Sequence, residues 1–112
     1  MGKFVINKDK ADQFRFNLKA GNGEIILSSQ GYIAKSSCEN GIESVRTHSQ
    51  DDNMFERNTA SDGSPYFNLK ASNGQVIGTS EMYSGTSAME TGIASVKANA
   101  PSATIEDNSW MH

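Results

Sequence analysis

One eight-residue stretch occurs twice in this chain, and it constrains the fold more than any other feature. Residues 16–23 read Phe-Asn-Leu-Lys-Ala-Gly-Asn-Gly, and residues 67–74 read Phe-Asn-Leu-Lys-Ala-Ser-Asn-Gly. In both copies apolar and polar residues alternate before an Asn-Gly pair, a pattern typical of a β-strand that enters a hairpin. The chain is therefore built from two related units.

The two units align without a gap. An offset of 51 residues takes Phe4 to Phe55 and Phe16 to Phe67. We place repeat one at about residues 1–51 and repeat two at about residues 52–112. A unit of this size is marginal as an independent fold, so we expect both repeats to share one core in a single domain spanning residues 1–112.

Alternating patterns predict strands in both repeats. Repeat one has strands at about residues 3–7 and 13–20 and a third after the Asn-Gly turn, and repeat two opens with a strand at residues 54–58. In the second strand, Phe16 and Leu18 face the core, while Asn17 and Lys19 face the other side. One face of the sheet is therefore apolar and the other polar.

The turn at Asn22-Gly23 is compatible with two loops. A two-residue loop pairs Leu18 with Leu27, whereas a three-residue loop with a glycine bulge at Gly23 pairs Leu18 with Ile26 and sends Ile26 to the core. We favour the bulge, because position 26 has an isoleucine counterpart in repeat two, whereas position 27 is matched there by a glycine.

The spacing of apolar residues predicts a helix over residues 36–48 and a second ending near residues 98–99. Each begins with a capping-box pattern, Ser36 with Glu39 and Ser87 with Glu90. One side of each helix is apolar and must cover the sheet.

The apolar side of each helix carries a glycine, Gly41 or Gly92, although glycine costs roughly 1 kcal/mol relative to alanine inside a helix. We interpret both as sites of close packing against a bulky side chain such as Phe16 or Phe67.

Residues 103–107 predict one more short strand, and its counterpart in repeat one overlaps the strand that opens repeat two. This overlap indicates that closing strands cross between the repeats. We predict an α+β fold in which two tandem β-β-β-α-β repeats share one antiparallel sheet, exchange their C-terminal strands and place two helices on one face.

Composition excludes several classes of protein. A net charge of −3 and a sequence pI near 5.3 argue against a general binder of nucleic acid or anionic membranes. The single cysteine excludes an internal disulfide and a zinc site built from cysteines. The sequence shows no apolar run approaching the roughly 20 residues of a membrane span and no signal region, so we expect a cytoplasmic protein.

Candidate catalytic and metal-binding groups are few. We interpret Cys38 as a core residue, because Met89 is its counterpart, and expect Tyr32 and Tyr83 to lie in the core rather than at a groove. The two histidines, at positions 48 and 112, are too few for a histidine-rich metal site. Without a nucleophile, base and orienting group that fit together, we expect neither an enzyme nor a bound cofactor.

Several spaced motifs occur twice in the same order: the Phe-Asn-Leu-Lys-Ala strand with its Asn-Gly turn, a loop tyrosine, and a helix motif Glu-x-Gly-Ile-x-Ser-Val. In this combination the chain resembles the YegP-like family of small bacterial proteins. The resemblance implies paired strand-and-helix units in one sheet with exchanged last strands. It implies no activity and no catalytic or binding residues.

The strand pattern assigns a polar set to the sheet face that the helices leave uncovered. Its members are Arg15, Asn17, Lys19, Tyr66, Asn68 and Lys70. Both repeats project the same Asn-x-Lys pair, and a tyrosine there is suited to stacking. We interpret this face as a candidate binding surface; the alternative is a solvated face that only keeps the protein soluble.

The leading hypothesis is a non-enzymatic binding or protein-interaction module that uses the open face or an edge strand. We expect a monomer, with edge-strand pairing as the route to a dimer and no membrane contact. The alternative is a binder of nucleic acid or a small anionic ligand through Arg15, Lys19 and Lys70, and the acidic net charge makes nucleic acid the weaker choice.

Overall fold

The computed structural model describes residues 2–110, and its elements follow the same order in both repeats. Repeat one contains β1 (Lys3–Lys8), β2 (Phe14–Lys19), β3 (Ile25–Ser28) and α1 (Lys35–His48). Repeat two contains β4 (Phe55–Thr59), β5 (Pro65–Lys70), β6 (Val76–Thr79), α2 (Thr86–Asn99) and β7 (Thr104–Asp107). A short 3-10 helix, Asp52–Met54, precedes β4, and His112 lies outside the described residues.

The strands within residues 2–110 form one seven-stranded sheet in the order β4-β5-β6-β3-β2-β1-β7. The closing strand of repeat two, β7, pairs with β1, the opening strand of repeat one. The α+β fold, the shared sheet and the strand exchange are therefore confirmed. The sheet is mixed rather than wholly antiparallel, because β7 runs parallel to β1. The two strands come from opposite ends of the chain, so no hairpin turn imposes an antiparallel direction on them.

Both helices pack on the same face of the sheet, α1 over β2 and α2 over β5. The core between the helices and the sheet is built from residues of both repeats. Its largest fully buried side chains are Phe4, Ile6, Phe16, Leu18, Leu27 and Ile42 in repeat one and Phe67, Leu69 and Ile93 in repeat two. Burial of apolar area on this one face contributes most of the stabilisation of such a fold.

The helix glycines mark the closest approaches of helix to sheet. A Cβ atom at Gly41 would lie 2.6 Å from the Tyr32 hydroxyl oxygen and 3.1 Å from the Phe16 ring. At Gly92 the nearest group is the Tyr83 hydroxyl. Close packing therefore accounts for both glycines, although the nearest bulky group is the loop tyrosine rather than the strand phenylalanine.

The three-residue hairpin loop is present. Gly23 has φ +88°, its N–H donates to the Ala20 carbonyl at 2.9 Å, and the Ala20 N–H donates to the Glu24 carbonyl at 2.9 Å. The pairing that we derived from this loop is wrong: Leu18 lies opposite Leu27, because a second irregularity in β3 inserts Ile26. As a result residues 26 and 27 are both buried.

The glycine that corresponds to Leu27 leaves no hole in the core. Gly78 lies on β6, next to β3, and a Cβ atom there would be 2.6 Å from the Leu27 side chain. Leu27 of repeat one therefore fills the space above Gly78 of repeat two, which packs the two repeats together at the centre of the sheet.

The two capping boxes are absent, so that prediction is wrong. The N-cap residues are Ala34 and Gly85, in extended conformation and without a side-chain cap. Each helix begins at least one residue earlier than the pattern indicated, at Lys35 and Thr86, which places the serines inside the first turn rather than at the cap.

Candidate open-face binding surface

The six predicted site residues all lie on the sheet face opposite the helices. On β2, Arg15, Asn17 and Lys19 alternate with core residues, and Tyr66, Asn68 and Lys70 do the same on β5. Three strand spacings separate β2 from β5, roughly 14 Å. The two Asn-x-Lys pairs therefore form two patches.

One row of side chains crosses this face from edge to edge and joins the patches. Its members, in directly opposed positions on successive strands, are Glu56, Asn68, Thr79, Ser28, Asn17, Val5 and Glu106. The centre of the row carries four amide or hydroxyl groups and both ends carry a carboxylate. The surface is thus polar with little net charge along its middle.

In the repeat-two half, Glu56 accepts hydrogen bonds from the donor groups around it. Its carboxylate accepts hydrogen bonds from Lys70 Nζ at 2.7 Å, Asn58 Nδ2 at 3.1 Å and Asn68 Nδ2 at 3.3 Å. Hydrogen bonds from Lys70 and these amides lower the pKa of Glu56 from 4.5 to about 2. Thr79 Oγ1 also donates to Asn68 Oδ1 at 2.8 Å, so this half of the face is internally satisfied.

In the repeat-one half, the position of Glu56 is taken by Val5, which is buried between Asn17 and Glu106 on the neighbouring strands. Among residues 2–110, no side chain forms a hydrogen bond or ion pair with the side chains of Asn17 or Lys19. The two halves therefore carry the same Asn-x-Lys pair in different states, one closed by a carboxylate and one open.

Arg15 is engaged within the chain. Its Nε donates to Asp9 Oδ2 at 2.6 Å and its Nη1 donates to the Ser29 carbonyl at 3.3 Å, and this arginine lowers the pKa of Asp9. Of the three cations that we proposed for an anionic ligand, two thus have an acidic partner of their own: Asp9 for Arg15, and Glu56 for Lys70.

Lys3 lies directly opposite Lys19, so two like charges face each other on β1 and β2. Lys3 is paired with Glu106 at 3.1 Å, and Glu106 also accepts from Asn108 at 3.0 Å. The pKa of Glu106 is lowered mainly by the Lys3 hydrogen bond, and Lys19 adds a weaker attraction through charge alone. Lys19 is therefore the less compensated of the two lysines.

The outer edge of β4 is protected by charge. Arg57 is the counterpart of the buried Ile6, and its guanidinium donates to Glu90 from Nε at 2.6 Å and from Nη2 at 3.0 Å. Nη2 also lies 3.2 Å from Asp52. A charged residue at this position of an exposed edge discourages strand addition.

Cys38 and the loop tyrosines serve the core. Burial raises the pKa of Cys38 to about 11, so its thiol stays protonated. The ring of Tyr32 stacks on Phe16 at 6.4 Å, and that of Tyr83 stacks on Phe67 at 6.2 Å. Within residues 2–110 there is no pocket and no cluster of three potential metal ligands.

Sequence reasoning missed the side chains that distinguish the two halves: Val5, Asn7, Ser28, Glu56, Asn58 and Thr79. The signal was present, because the 51-residue offset aligns Val5 with Glu56 while Asn7 aligns with Asn58. Only the paired strands reveal that these positions adjoin the Asn-x-Lys pairs.

Neither described helix is long and apolar enough to cross a membrane.

The model of the family described as Domain of unknown function (DUF1508) matches residues 9–56 and 60–107. Each matched unit starts before a repeat's second strand. The first unit ends on β4, which pairs with β5 of the second unit, and the second unit ends on β7, which pairs with β1, a strand that precedes the first unit. The UPF0339 protein YegP of Escherichia coli K12 is 55% identical over 107 residues, which cover 96% of this chain and 97% of that protein. A UPF0339 protein of Acinetobacter baylyi is 54% identical over 106 residues, 95% and 96% of the two chains.

Two solved structures share the fold. The solution structure of a UPF0339 protein from Shewanella oneidensis has a TM-score of 0.93 and 50% identity, and covers 99% of this chain and 94% of that one. The solution structure of yegP from E. coli, a protein of unknown function, has a TM-score of 0.94 and 53% identity, with 99% and 96% covered. The chain therefore belongs to the DUF1508 family, the uncharacterised UPF0339 or YegP-like proteins, and carries two tandem copies of the family's domain.

Proposed function

We propose that this protein is a non-enzymatic binding module, and that a protein partner docks on the repeat-one half of its open sheet face. One observation carries the proposal: the Asn17-x-Lys19 pair has no partner within the described residues, whereas Glu56 closes the equivalent pair in repeat two. Polar groups that the chain leaves unpaired on a rigid sheet are available to another molecule at little cost in reorganisation.

The geometry supports a surface interaction rather than catalysis. The described residues offer no pocket that could exclude water from a reacting group. The one thiol is buried and its pKa is raised to about 11, so it supplies no nucleophile at neutral pH. We further propose that the protein acts as a monomer in the cytoplasm, with the partner on the face rather than on the β4 edge.

A capture experiment with matched variants tests the proposal. Wild-type protein, N17A/K19E and N68A/K70E are immobilised and exposed to a bacterial extract, and bound proteins are identified by mass spectrometry. We expect a partner that wild type and N68A/K70E retain and that N17A/K19E loses. Equal capture by all three proteins, or loss only with N68A/K70E, contradicts the assignment of the surface.

The salt dependence of capture distinguishes a nucleic-acid partner from a protein partner. Binding to a phosphate backbone weakens steeply with salt because counterions are released on association. If the captured species is nucleic acid and its retention falls by orders of magnitude between low and moderate salt, the protein-binding proposal is wrong and the anionic-ligand alternative replaces it.

A further inference from the structure

We infer that the repeat-one half of the open face is a carboxylate-binding site, and that an acidic side chain of a partner protein occupies the position that Glu56 takes in repeat two. The inference rests on the function proposed above and specifies the chemical group that the surface recognises.

Repeat two supplies the template for this site. One lysine ammonium and two asparagine amides converge on the Glu56 carboxylate, from Lys70, Asn58 and Asn68 at 2.7 to 3.3 Å. These donors come from β4 and β5, so the sheet itself sets their spacing. Thr79 holds the Asn68 amide oxygen, which leaves the amide nitrogen directed at the carboxylate.

Repeat one presents the same donors on the equivalent strands. The 51-residue offset takes Lys70 to Lys19, Asn68 to Asn17 and Asn58 to Asn7. The strand register is also preserved, because Val5 lies opposite Asn17 as Glu56 lies opposite Asn68. Ser28 stands at the position of Thr79, so the hydroxyl that orients the amide has a counterpart as well.

The acceptor is what repeat one lacks. Val5 replaces the glutamate, and within residues 2–110 the side chains of Asn7, Asn17 and Lys19 have no hydrogen-bond or ion-pair partner. Glu106, on the neighbouring strand β7, accepts hydrogen bonds from Lys3 and Asn108 and interacts with Lys19 only through longer-range charge. Lys3 and Lys19 lie opposite each other, and within residues 2–110 only Lys3 has a carboxylate partner, so a second carboxylate beside Lys19 would relieve a like-charge contact.

The donor set fits a carboxylate better than a phosphate. One ammonium and two neutral amides match the single charge and two oxygens of a glutamate, as Glu56 demonstrates within the same sheet. Phosphate recognition draws on several cations or arginine forks, and the nearest arginine on this face, Arg15, is already paired with Asp9. A strand surface without a pocket also suits an extended acidic segment, whose alternate side chains point toward one face.

An NMR titration tests the inference with defined probes. Nitrogen-15-labelled protein is titrated with hexaglutamate, with hexaglutamine as the uncharged control and with octathymidylate as the phosphate-bearing control. We expect saturable shifts of the side-chain amides of Asn7 and Asn17 with hexaglutamate alone, and none at Asn58 or Asn68. Equal shifts with hexaglutamine, or tighter binding of octathymidylate, overturn the inference.

Matched variants make the test specific to the site. K19M is expected to weaken hexaglutamate binding about tenfold or more, the loss of one charge-assisted hydrogen bond. K70M, the same change in the closed half, should alter the affinity less than about twofold. V5E supplies an internal carboxylate and should abolish binding of hexaglutamate. N17A removes one amide donor at a side chain that is not buried, and should also weaken that binding. Equal losses in K19M and K70M overturn the inference.

The two proposals fail in different ways. If N17A/K19E loses the captured partner but hexaglutamate does not bind, the carboxylate site is wrong and the docking surface stands. If capture does not depend on Asn17 and Lys19 at all, the docking surface itself is wrong.

Discussion

At the scale of single residues, the absence of a side chain at Gly41 sets the distance between α1 and the sheet. A Cβ atom here meets the Tyr32 hydroxyl oxygen and the Phe16 ring at distances that require one of them to move. Overpacking of this kind costs about 1 to 3 kcal/mol, which exceeds the roughly 1 kcal/mol gained by replacing glycine with alanine in a helix.

Gly41→Ala should therefore lower the free energy of unfolding by up to about 2 kcal/mol, measured by urea denaturation. The loss should be smaller in a Y32F background, because the nearest clashing atom is gone. Asn40→Ala, on the exposed side of the same helix, controls for helix propensity and should raise stability by no more than about 0.7 kcal/mol. A stabilised G41A protein would show that Tyr32 moves aside freely.

Glu56 makes stability depend on pH. Its folded-state pKa of about 2 lies below the ordinary 4.5, so its stabilising contribution is complete above the unfolded-state value and is lost as pH falls through the folded-state value. Glu56→Gln should therefore flatten the dependence of unfolding free energy on pH between about pH 5 and pH 2. Part of the slope should survive, because hydrogen bonds from Lys35 and Ser109 also hold the pKa of Asp107 at about 2.

Urea unfolding at a series of pH values measures this slope. The control is Glu24→Gln, since Glu24 is exposed in the first hairpin and no described residue forms an ion pair with it. The control should keep the full slope of the wild type. Identical slopes for wild type and E56Q would mean that the carboxylate is not held by Lys70 and the two asparagines in solution.

At the scale of elements, the opening strands of the two repeats differ in their outer neighbours: β7 pairs with β1, whereas β4 forms an edge of the sheet. The edge of β1 is covered by β7, and Ile6 beneath that pair is fully buried. The corresponding edge of β4 has no strand on it within residues 2–110, and Arg57 stands in the place of Ile6, held by Glu90. A charge at this position lets the sheet end without exposing an apolar residue.

Arg57→Ile should consequently promote self-association. The variant keeps a strand former at position 57 but removes the charge and exposes apolar surface at an open edge. Light scattering coupled to size exclusion, over a range of concentrations, should show a larger mean mass for the variant than for wild type. Glu90→Gln, which weakens the ion pair without adding apolar surface, should leave the mass unchanged; an unchanged mass for R57I would contradict the protective role.

Local patterns were sufficient to predict the strands, the helices and the three-residue hairpin loop, because alternation, helical spacing and Asn-Gly turns act over a few residues. They failed where a distant contact decides the outcome. The direction of β7 depends on its pairing with β1 from the opposite end of the chain, and the second bulge in β3 buries Ile26 together with Leu27. The open and closed halves of the face differ through Val5 and Glu56, which meet the Asn-x-Lys pairs only across paired strands.

At the scale of the whole molecule, the two repeats are joined at the centre and at one edge of the sheet. In the centre, Ser28 pairs with Thr79 and Leu27 fills the space above Gly78. At the edge, the last strand of repeat two completes the sheet next to the first strand of repeat one. Neither repeat keeps its own core covered without the other, so both should unfold in one transition.

Leu27→Ala tests this coupling, because Leu27 belongs to repeat one but packs against repeat two. Removal of a fully buried leucine should cost about 2 to 5 kcal/mol, and residue-by-residue unfolding midpoints from NMR spectra in urea should fall equally in both repeats. Ile33→Ala removes as many carbon atoms as Leu27→Ala, but from a side chain that is 87% exposed, and should leave the midpoints unchanged. Midpoints that fall in repeat one and hold in repeat two would show that the repeats are independent folding units, and the strand exchange would then contribute little to stability.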